Sequence, residues 1–528
     1  MLLKTLSMTT QLLTKPRGYL HIGHAKAAFL NDYFAHEAFP GKLIARFDDT
    51  NPAKEKQEFE DSILQDLQLL GIKPDRVTYT SDYFQQLYEI AERMIADGNA
   101  YADDTDPEIQ KEQRRNRLPS KRRDRPAEES LAIFKEMRNG TDLGKKHCLR
   151  ARITFDSPNG AMRDPVMYRF PNFAPQPSSQ PAEPAPHHRT GYTWPIYPTY
   201  DFACPLVDSI EGVTHALRTT EYADRTPQYH WFLTTLSLPP LQLYDFSRIN
   251  FTHTLLSKRK LTHLVATGAV SGWTDPRMPT IRGILRRGLT VPALRQFMLL
   301  QGPSRNAVTM DWTVLWATNK KLIDPVAPRH TAVGTKHLVK ATIADGPEKP
   351  HAATRPAHPK NPAVGTRSVT YASTVFIEQA DAAGFLPGEE ITLMGWGNAL
   401  VREIVRDDGS GVVTALRLDL NLAGDVKKTE KKVTWLAGEG TTLVDAELWE
   451  FGDLLTKDVL GKEDRLEDFL AKDTAAVTEA LCDADLAGAE AGSIVQLERK
   501  GYFRVDKAAG EGPGGKAVLF KIPTGGKE

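Results

Sequence analysis

The chain has 528 residues, which suggests about three or four domains, and its 41% hydrophobic and 25% charged residues indicate a protein with an ample core. Lysine plus arginine and aspartate plus glutamate number 67 each, so the whole-chain charge says nothing about nucleic acid and any basic surface must be local. Three distant cysteines (Cys148, Cys204 and Cys482) argue for a reducing compartment and against a zinc site, and no apolar run is long enough to span a membrane.

The first stretch that carries chemistry is a glycine turn followed by two histidines. Gly18 opens the turn, and His21 and His24 flank Gly23 before an apolar run that predicts a helix. A strand is expected before the turn, within residues 1–17. Both histidines would then lie in the first helical turn, where unpaired backbone N–H groups and the helix dipole favour an anion. Their ring N–H groups could hold the oxygens of a reacting phosphate; the alternative is a pair of structural histidines.

An acidic residue follows the next predicted strand. Residues 42–47 form a buried strand pattern that ends at Asp48. Strand, turn, helix and strand are the beginning of an open α/β sheet, which binds ligands at the carboxyl ends of its strands. Asp48 is therefore a candidate ligand contact, with a helix cap or a turn residue as the alternative. Residues 55–100 predict two amphipathic helices.

Two further segments are unusual in composition. A basic cluster is either a solvated helix face or a surface that contacts phosphates; its members are Arg114, Arg115, Arg117, Lys121, Arg122, Arg123 and Arg125. Residues 170–186 are too rich in proline and too polar to pack, which predicts an exposed insertion with no catalytic role.

A second basic stretch lies far downstream, in residues 255–261, where Lys258 could reach a triphosphate. In this order and separation, the histidine turn and the lysine stretch resemble the HIGH and KMSKS signatures of class I aminoacyl-tRNA synthetases. Residues 46–52 resemble the RFDDTNP motif of the glutamyl and glutaminyl members. The resemblance is to glutamyl enzymes of the eukaryotic cytosolic type, and it covers the chain from Gly18 to about Asp506.

The resemblance implies an α/β fold with a class I nucleotide-binding (Rossmann-type) catalytic domain, an inserted domain, a helical connector and C-terminal β-barrels. The expected parts are the first catalytic half (1–85), the inserted domain that binds the tRNA acceptor end (86–195), the second catalytic half (196–265), the helical connector (266–322) and the paired β-barrel anticodon-binding region (323–528). Short alternating apolar segments with glycine and proline turns in the last region are typical of small antiparallel barrels.

The resemblance also implies a glutamate pocket formed by Asp48, Tyr200, Asp201, Cys204 and Arg218. Asp48 would engage the amino group, and Tyr200 to Cys204 would follow a strand that lines the pocket. Glutaminyl enzymes carry a small neutral residue where this chain has Arg218. A guanidinium in a closed pocket demands an anion, and charged hydrogen bonds are worth roughly 1.5–3 kcal/mol, so Arg218 predicts a preference for a γ-carboxylate on the order of tenfold to hundredfold. The alternative is that Arg218 bridges surface acids.

Catalytic roles are implied for His21, His24 and Lys258, which would stabilise charge on the phosphates. The implied ATP contacts are Gly18, Gly23, Glu221, Arg248, Leu255, Leu256, Ser257, Lys258 and Arg259. ATP is expected as a substrate together with Mg²⁺, without a metal site of the protein's own and without a bound prosthetic group. The implied function is cytoplasmic ligation of L-glutamate to tRNA(Glu) through a glutamyl-adenylate, with no DNA or membrane partner; partners in a synthetase complex stay open.

The N-terminus departs from the family pattern. The arginine that binds the amino-acid carboxylates in relatives falls on Gln11, and of the family's Arg-Phe-Pro-Pro-Glu-Pro run only Pro16 is kept. A neutral amide cannot replace a bidentate cation, and losing one partner of a buried charge pair costs about 2–5 kcal/mol. An appended N-terminal domain common in eukaryotic relatives is also missing, so either the true start is different or the chain is a degenerate copy.

Three functions therefore compete. A glutamate–tRNA ligase is favoured by the whole set of motifs. A glutaminyl-tRNA synthetase is disfavoured by Arg218 and Cys204. A non-catalytic tRNA-binding remnant is motivated by Gln11 and disfavoured by the intact histidines and Lys258.

Overall fold

The computed structural model describes residues 8–14, 19–52, 57–171, 186–461 and 463–526. Gly18 and nearly all of the predicted insertion, residues 172–185, lie outside the described residues. The chain divides into two compact units, of which unit 1 comprises Met1–Asn250 and Met298–Thr309, and unit 2 comprises Phe251–Phe297 and Met310–Glu528.

Unit 1 alternates strands and helices along most of its length. In chain order they are β1 (Thr9–Thr14), α1 (Ile22–Tyr33), β2 (Lys42–Phe47), α2 (Gln57–Leu69), β3 (Arg76–Tyr79), α3 (Phe84–Ala96), β4 (Ala100–Asp103), α4 (Pro107–Asn116), α5 (Ala127–Asn139), α6 (Asp142–Lys145), β5 (Cys148–Ala151), β6 (Val166–Arg169), β7 (Tyr197–Pro198), α7 (Tyr200–Ile210), β8 (His215–Thr219), α8 (Thr226–Thr235) and β9 (Gln242–Phe246).

A five-stranded parallel sheet in the order β3-β2-β1-β8-β9 is the frame of unit 1. The strand order reverses between β1 and β8, and in open α/β sheets this switch point is where ligands bind, outside the carboxyl ends of the strands. Those ends are Thr14, Phe47 and Thr219 in β1, β2 and β8. The α/β prediction, the strand before the histidine turn and the two helices within residues 55–100 are confirmed.

A second sheet of unit 1, in the order β4-β5-β6-β7, is antiparallel. The expectation that Tyr200, Asp201 and Cys204 follow a strand of the nucleotide-binding sheet is wrong, because the preceding strand β7 belongs to this second sheet and the three residues lie on helix α7. Thr199 is the extended N-cap of that helix. Apolar side chains then recur at helical spacing, which buries Phe202 and Leu206 on one face.

The chain continues through elements that are mostly helical up to Ile323. They are β10 (Ile249–Phe251), α9 (Lys258–Ala266), α10 (Ile281–Arg286), α11 (Val291–Gln301), β11 (Val308–Met310) and α12 (Thr313–Ile323). Strands dominate from there on, with one short helix, α13 (Gln379–Ala382): β12 (Arg329–His330), β13 (Ala332–Gly334), β14 (Val339–Ile343), β15 (His351–Pro356), β16 (Thr366–Tyr371), β17 (Thr374–Ile377), β18 (Glu390–Leu393), β19 (Gly397–Arg406), β20 (Val413–Asn421), β21 (Lys432–Val433), β22 (Leu436–Ala437), β23 (Val444–Phe451), β24 (Ala475–Cys482), β25 (Ile494–Leu497), β26 (Gly501–Lys507) and β27 (Ala517–Ile522).

Unit 2 contains two seven-stranded sheets, in the orders β12-β25-β26-β27-β23-β24-β13 and β21-β18-β19-β20-β14-β17-β22. The predicted antiparallel pairing is wrong in part, since β14 runs parallel to β20 and β23 runs parallel to β27. Parallel neighbours need a long crossover connection, and long segments of chain separate the strands of both pairs. Each sheet encloses its own apolar core.

The predicted basic cluster lies on and after α4, and several of its side chains are paired with acids. Arg122 lies 2.6 Å from Asp104, and Arg123 lies 2.8 Å from Asp164. Contact with tRNA phosphates stays a prediction for this cluster. Among the described residues, no helix is both long and apolar enough to cross a membrane.

Candidate active site

The two histidines cap the first turn of α1. His21 is the extended N-cap residue, and its Nδ1 accepts a 3.1 Å hydrogen bond from the backbone N–H of Gly23. His24 is the third helical residue, and its Nδ1 accepts the backbone N–H of His21, also at 3.1 Å. The two rings lie 3.8 Å apart, centroid to centroid. The prediction that the pair shares one face at the helix start is confirmed, with His21 as the cap and not within the helix.

This double cap sets the tautomer of both rings. A backbone N–H can only donate, so each Nδ1 is an acceptor and the neutral ring carries its proton on Nε2. The Nε2–H groups are therefore the polar edges that face away from the helix backbone. An N-cap is normally Ser, Thr, Asp or Asn. Here His21 at the N-cap and His24 in the first turn satisfy the same backbone groups. Each ring also adds one N–H donor where the helix dipole favours an anion.

A buried lysine anchors α1 to the end of β9. Lys26 is 3% exposed, and its Nζ donates a 2.9 Å hydrogen bond to the backbone carbonyl of Ser247. Burial lowers the pKa of this amine. Since Ser247 directly precedes Arg248, the lysine ties the histidine helix to the segment that carries a predicted ATP contact.

Two aspartates follow β2 and differ in their partners. Asp48 is 3% exposed and accepts a 2.9 Å hydrogen bond from the hydroxyl of Thr50. Asp49 is fully buried, and its carboxylate accepts the backbone N–H of Ser81 at 2.9 Å. Burial raises the pKa of Asp49 to about 6. The prediction that Asp48 lies at the carboxyl end of a buried strand is confirmed.

A buried ionic network lies beside the predicted glutamate pocket. The Arg46 guanidinium is fully buried and pairs with Asp208 at 2.5 Å and with Glu211 at 2.9 Å. Burial alone would lower the pKa of Arg46, but the two carboxylates raise it above its usual value. Asp208 also accepts the hydroxyl of Tyr229 at 2.5 Å. The network fixes α7 and α8 against β2.

Cys204 connects this network to the pocket. Its thiol lies 3.6 Å from the carboxylate of Asp208 and 3.8 Å from the Arg46 guanidinium. Burial raises the pKa of the thiol, so it stays protonated and acts as a neutral donor. Tyr200, one turn earlier on α7, stacks obliquely on Tyr222 with ring centroids 5.3 Å apart. Asp201 pairs with Arg225 at 2.5 Å.

Arg218 is a buried cation at the carboxyl end of β8. It is 7% exposed, donates a 2.7 Å hydrogen bond to the hydroxyl of Thr226, and lies 3.7 Å from Asp245, its register partner on β9. Its guanidinium is 5.4 Å from the centre of the Tyr229 ring. The Nε–H has no hydrogen-bond partner. The alternative that Arg218 bridges surface acids does not fit this burial.

Gln11 contacts Cys204, one of the predicted pocket residues. It is 4% exposed on β1, and its Nε2 donates to the Cys204 sulfur at 3.9 Å, while its Oε1 has no hydrogen-bond partner. The family's carboxylate-binding arginine, predicted to fall on this residue, would therefore have faced the Cys204 side of the pocket. A neutral amide with an unpaired oxygen stands there instead.

The remaining predicted ATP contacts are divided between the two units. Glu221 and Arg248 form an ion pair of 2.6 Å in unit 1, with both side chains 55% exposed. Lys258 is the first residue of α9 in unit 2, after the N-cap Ser257 and the buried Leu255. The position of this stretch relative to the histidine turn stays a prediction. Gly18 lies outside the described residues.

Some residues that shape the site were missed by sequence reasoning. Asp208 follows Cys204 by one helical turn, and this spacing was the available signal once α7 was taken as a helix. Arg46 and Lys26 are charged residues within apolar runs, which is the usual mark of a buried ion that needs a partner. Asp49 adjoins Asp48 in the same motif, and His187 contacts its backbone carbonyl at 2.7 Å.

Comparison with known proteins gives matches along nearly the whole chain. The family model described as the catalytic domain of class I (E and Q) tRNA synthetases matches residues 8–325, and two models of the anticodon-binding domains of the same class match residues 327–421 and 432–506. The chain is similar to a probable cytoplasmic glutamate–tRNA ligase of Schizosaccharomyces pombe, with 55% identity over 98% of this chain and 70% of the relative. It is also 50% identical to the cytoplasmic glutamate–tRNA ligase of Saccharomyces cerevisiae, over 98% of this chain and 70% of that protein. The corresponding Arabidopsis thaliana enzyme is 49% identical over 97% of this chain and 69% of its own length.

Proposed function

The chain belongs to the class I tRNA synthetases of the glutamyl and glutaminyl (E and Q) type, and we propose that it is a cytoplasmic glutamate–tRNA ligase. The single observation that carries the choice of amino acid is Arg218, a buried guanidinium at the switch-point edge of the sheet with an unpaired Nε–H. Its substrates are L-glutamate, ATP and a glutamate tRNA. Mg²⁺ is proposed to enter together with the ATP substrate.

In the first step an oxygen of the glutamate α-carboxylate attacks the α-phosphorus of ATP. A bond forms between this oxygen and phosphorus, the bond to the bridging oxygen breaks, and pyrophosphate leaves. The Nε2–H groups of His21 and His24 donate to the phosphate oxygens as negative charge builds up. The cap geometry keeps both protons on Nε2, so the rings stabilise charge and do not act as bases.

The pocket orients glutamate before this attack. Arg218 pairs with the γ-carboxylate, Asp48 accepts from the amino group, and Tyr200 closes the space between them. Cys204 and the buried Arg46–Asp208 pair support this wall from behind. The protein contributes mainly position and electrostatic complementarity.

In the second step a ribose hydroxyl of the terminal adenosine of tRNA attacks the glutamyl carbonyl. An ester bond forms, the bond to the adenylate phosphate breaks, and AMP leaves. Lys258 is assigned to the pyrophosphate released in the first step, where its ammonium would offset charge on the leaving group. The two anticodon-binding domains in the second half of the chain would hold the far end of the tRNA.

A non-catalytic tRNA-binding protein is the second candidate, because a specific observation favours it. Gln11 supplies no positive charge to the α-carboxylate side of the pocket, and its own oxygen is buried without a partner. The two candidates separate in an ATP–pyrophosphate exchange assay with glutamate and tRNA present. A glutamate ligase exchanges label only when glutamate is added, whereas a remnant binds tRNA and exchanges none, with or without the substitution Gln11→Arg.

A further inference from the structure

A turn outside the predicted site holds the backbone beside Asp48. Residues 187–191 form this turn, which we call the 187–191 turn, and it is closed by reciprocal backbone hydrogen bonds between His187 and Gly191 of 3.0 and 2.8 Å. Gly191 has a φ of +59°, a conformation that glycine adopts without strain. The three side chains that follow one another in this turn, at 187, 188 and 189, contact three different elements around the acidic end of β2.

His187 binds the backbone of Asp49 in one defined tautomer. Its Nδ1 accepts the backbone N–H groups of Arg189 and Thr190, each at 3.2 Å, so its proton lies on Nε2. Nε2 donates a 2.7 Å hydrogen bond to the carbonyl oxygen of Asp49. The side chain is fully buried, and burial lowers its pKa to about 4, which keeps the ring neutral.

The neighbouring side chains bind on either side of that contact. His188 lies 2.5 Å from the carboxyl group of Glu60 on α2. Arg189 donates to the Ser81 hydroxyl at 2.6 Å and pairs with Asp82 at 2.8 Å, both just after β3. Ser81 in turn donates its backbone N–H to the Asp49 carboxylate. Asp49 is thus contacted twice: the 187–191 turn binds its carbonyl, and the segment after β3 binds its carboxylate.

We propose that His187 is a positioning residue for amino-acid binding, which acts by fixing the Asp49–Thr50 peptide unit beside Asp48. The inference rests on the proposed role of Asp48 in binding the amino group. The Asp49 carbonyl belongs to the peptide unit between Asp49 and Thr50, and the hydroxyl of Thr50 donates to the Asp48 carboxylate at 2.9 Å. Both aspartate side chains are buried, so a shift of this peptide unit moves the Thr50 hydroxyl and the Asp48 carboxylate that it contacts. Without the Nε2–H donor, a buried carbonyl loses its partner, and the turn relaxes to find another.

Two substitutions separate the two hydrogen-bonding edges of the ring. His187→Asn keeps an acceptor near the Nδ1 position, which preserves the turn, but it is too short to reach the Asp49 carbonyl. His187→Gln places an N–H donor near the Nε2 position. His358 in unit 2 offers a matched control, because its Nδ1 accepts the Lys360 N–H at 3.1 Å and its Nε2 contacts the Asp324 carbonyl at 3.0 Å.

The test measures binding of a non-hydrolysable glutamyl-adenylate analogue and, separately, of ATP by calorimetry on the full chain, with the glutamate KM of tRNA charging as a second readout. We expect His187→Asn to weaken analogue binding about tenfold, which is about 1.4 kcal/mol, and to leave ATP binding within about twofold. His187→Gln should stay close to the wild type, and His358→Asn should change neither affinity, even if both Asn variants lower the melting temperature alike.

The outcomes distinguish this inference from the function on which it rests. An analogue that binds the wild type and is weakened by Asp48→Asn, but not by His187→Asn, overturns the positioning role alone. Equal losses in His187→Asn and His187→Gln, or an equal loss of ATP affinity, also overturn it, because they indicate a general structural role. If Asp48→Asn leaves the affinity for the analogue unchanged, both the role of Asp48 and the inference built on it are overturned.

Discussion

Replacing Arg218 by methionine is the sharpest test of amino-acid selection. Methionine is of similar length and fits a buried site, so the change removes the charge and the donors with little loss of volume. In the folded protein Arg218 has one close hydrogen bond, to Thr226, and one acid at 3.7 Å, Asp245. Its Nε–H is buried and has no hydrogen-bond partner.

The magnitude follows from the positive charge of the buried guanidinium. A hydrogen bond to a charged group is worth about 1.5–3 kcal/mol, so we expect Arg218→Met to raise the glutamate KM by about tenfold to a hundredfold, with the KM for ATP unchanged. The ratio of kcat/KM for glutamate over glutamine should fall by the same factor. The assay is charging of tRNA with each labelled amino acid over a range of concentrations.

A second variant controls for the effect of the substitution on Asp245. Arg218→Met leaves the Asp245 carboxylate without its cation, so the double variant with Asp245→Asn is measured in parallel. Both variants should show the same loss of glutamate preference if the γ-carboxylate contact is the cause. A glutamate KM within twofold of the wild type, or an unchanged preference over glutamine, would refute the role assigned to Arg218.

Substitutions at four further residues test other features of the site and the fold. His24→Asn keeps an acceptor for the N-cap N–H but loses the Nε2–H donor. The kcat of adenylate formation should therefore fall about a hundredfold or more, with the glutamate KM nearly unchanged. A kcat like that of the wild type would show that His24 serves only as a helix cap. Lys258→Ala should lower kcat while Lys258→Arg retains most of it, as measured by pyrophosphate exchange; equal loss in both would argue against a purely electrostatic role. Arg46→Met leaves two buried carboxylates without their cation and should destabilise the fold by about 3–5 kcal/mol. Urea unfolding measures this loss, and an unchanged unfolding midpoint would contradict it. Burial raises the pKa of Glu60 from 4.5 to about 7. Its contribution to stability is therefore complete below about pH 4.5 and is lost as the pH rises through about 7. Glu60→Gln should remove this pH dependence, and parallel pH profiles of unfolding in the variant and the wild type would contradict it.

Periodicity and composition predicted much of the sheet but less of its connections. The buried strand that ends at Asp48 and the helix that contains His24 follow from apolar spacing. The strand before His21 is expected from its place ahead of the turn, because only residues 11–13 have a strand-like pattern. The chain around Tyr200 does not, because a short strand in a second sheet and the start of a helix are both compatible with the same residues. The pairing of β7 with β6 decides that residues 197–198 form a strand of the second sheet, ahead of the helix that begins at Tyr200.

The contacts of the site are less predictable than its elements. Cys204 and Arg218 could be named as pocket residues from the family resemblance. The network that supports Cys204, however, joins β2 to α7 and α8, and β2 lies far from both helices in the chain. Local patterns carry no signal for such pairs. The mixed pairing of the C-terminal sheets has the same origin, because strand partners are chosen over long sequence separations.

The sequence alone predicts no role for the 187–191 turn. Its importance comes from three contacts made by successive side chains at 187, 188 and 189 to segments near Asp49, Glu60 and Ser81. Only the fold brings these segments together.

The central claim is that the predicted pocket selects glutamate and that the protein joins it to tRNA although Gln11 stands where the family resemblance predicts arginine. The most direct test is charging of tRNA by the full chain with radiolabelled glutamate and, in parallel, with radiolabelled glutamine. The account predicts that glutamate is joined and glutamine is not, or is joined at least tenfold less efficiently, and that Gln11→Arg raises the rate with glutamate. Charging with glutamine at an equal rate, or no charging with either amino acid even after Gln11→Arg, would contradict it.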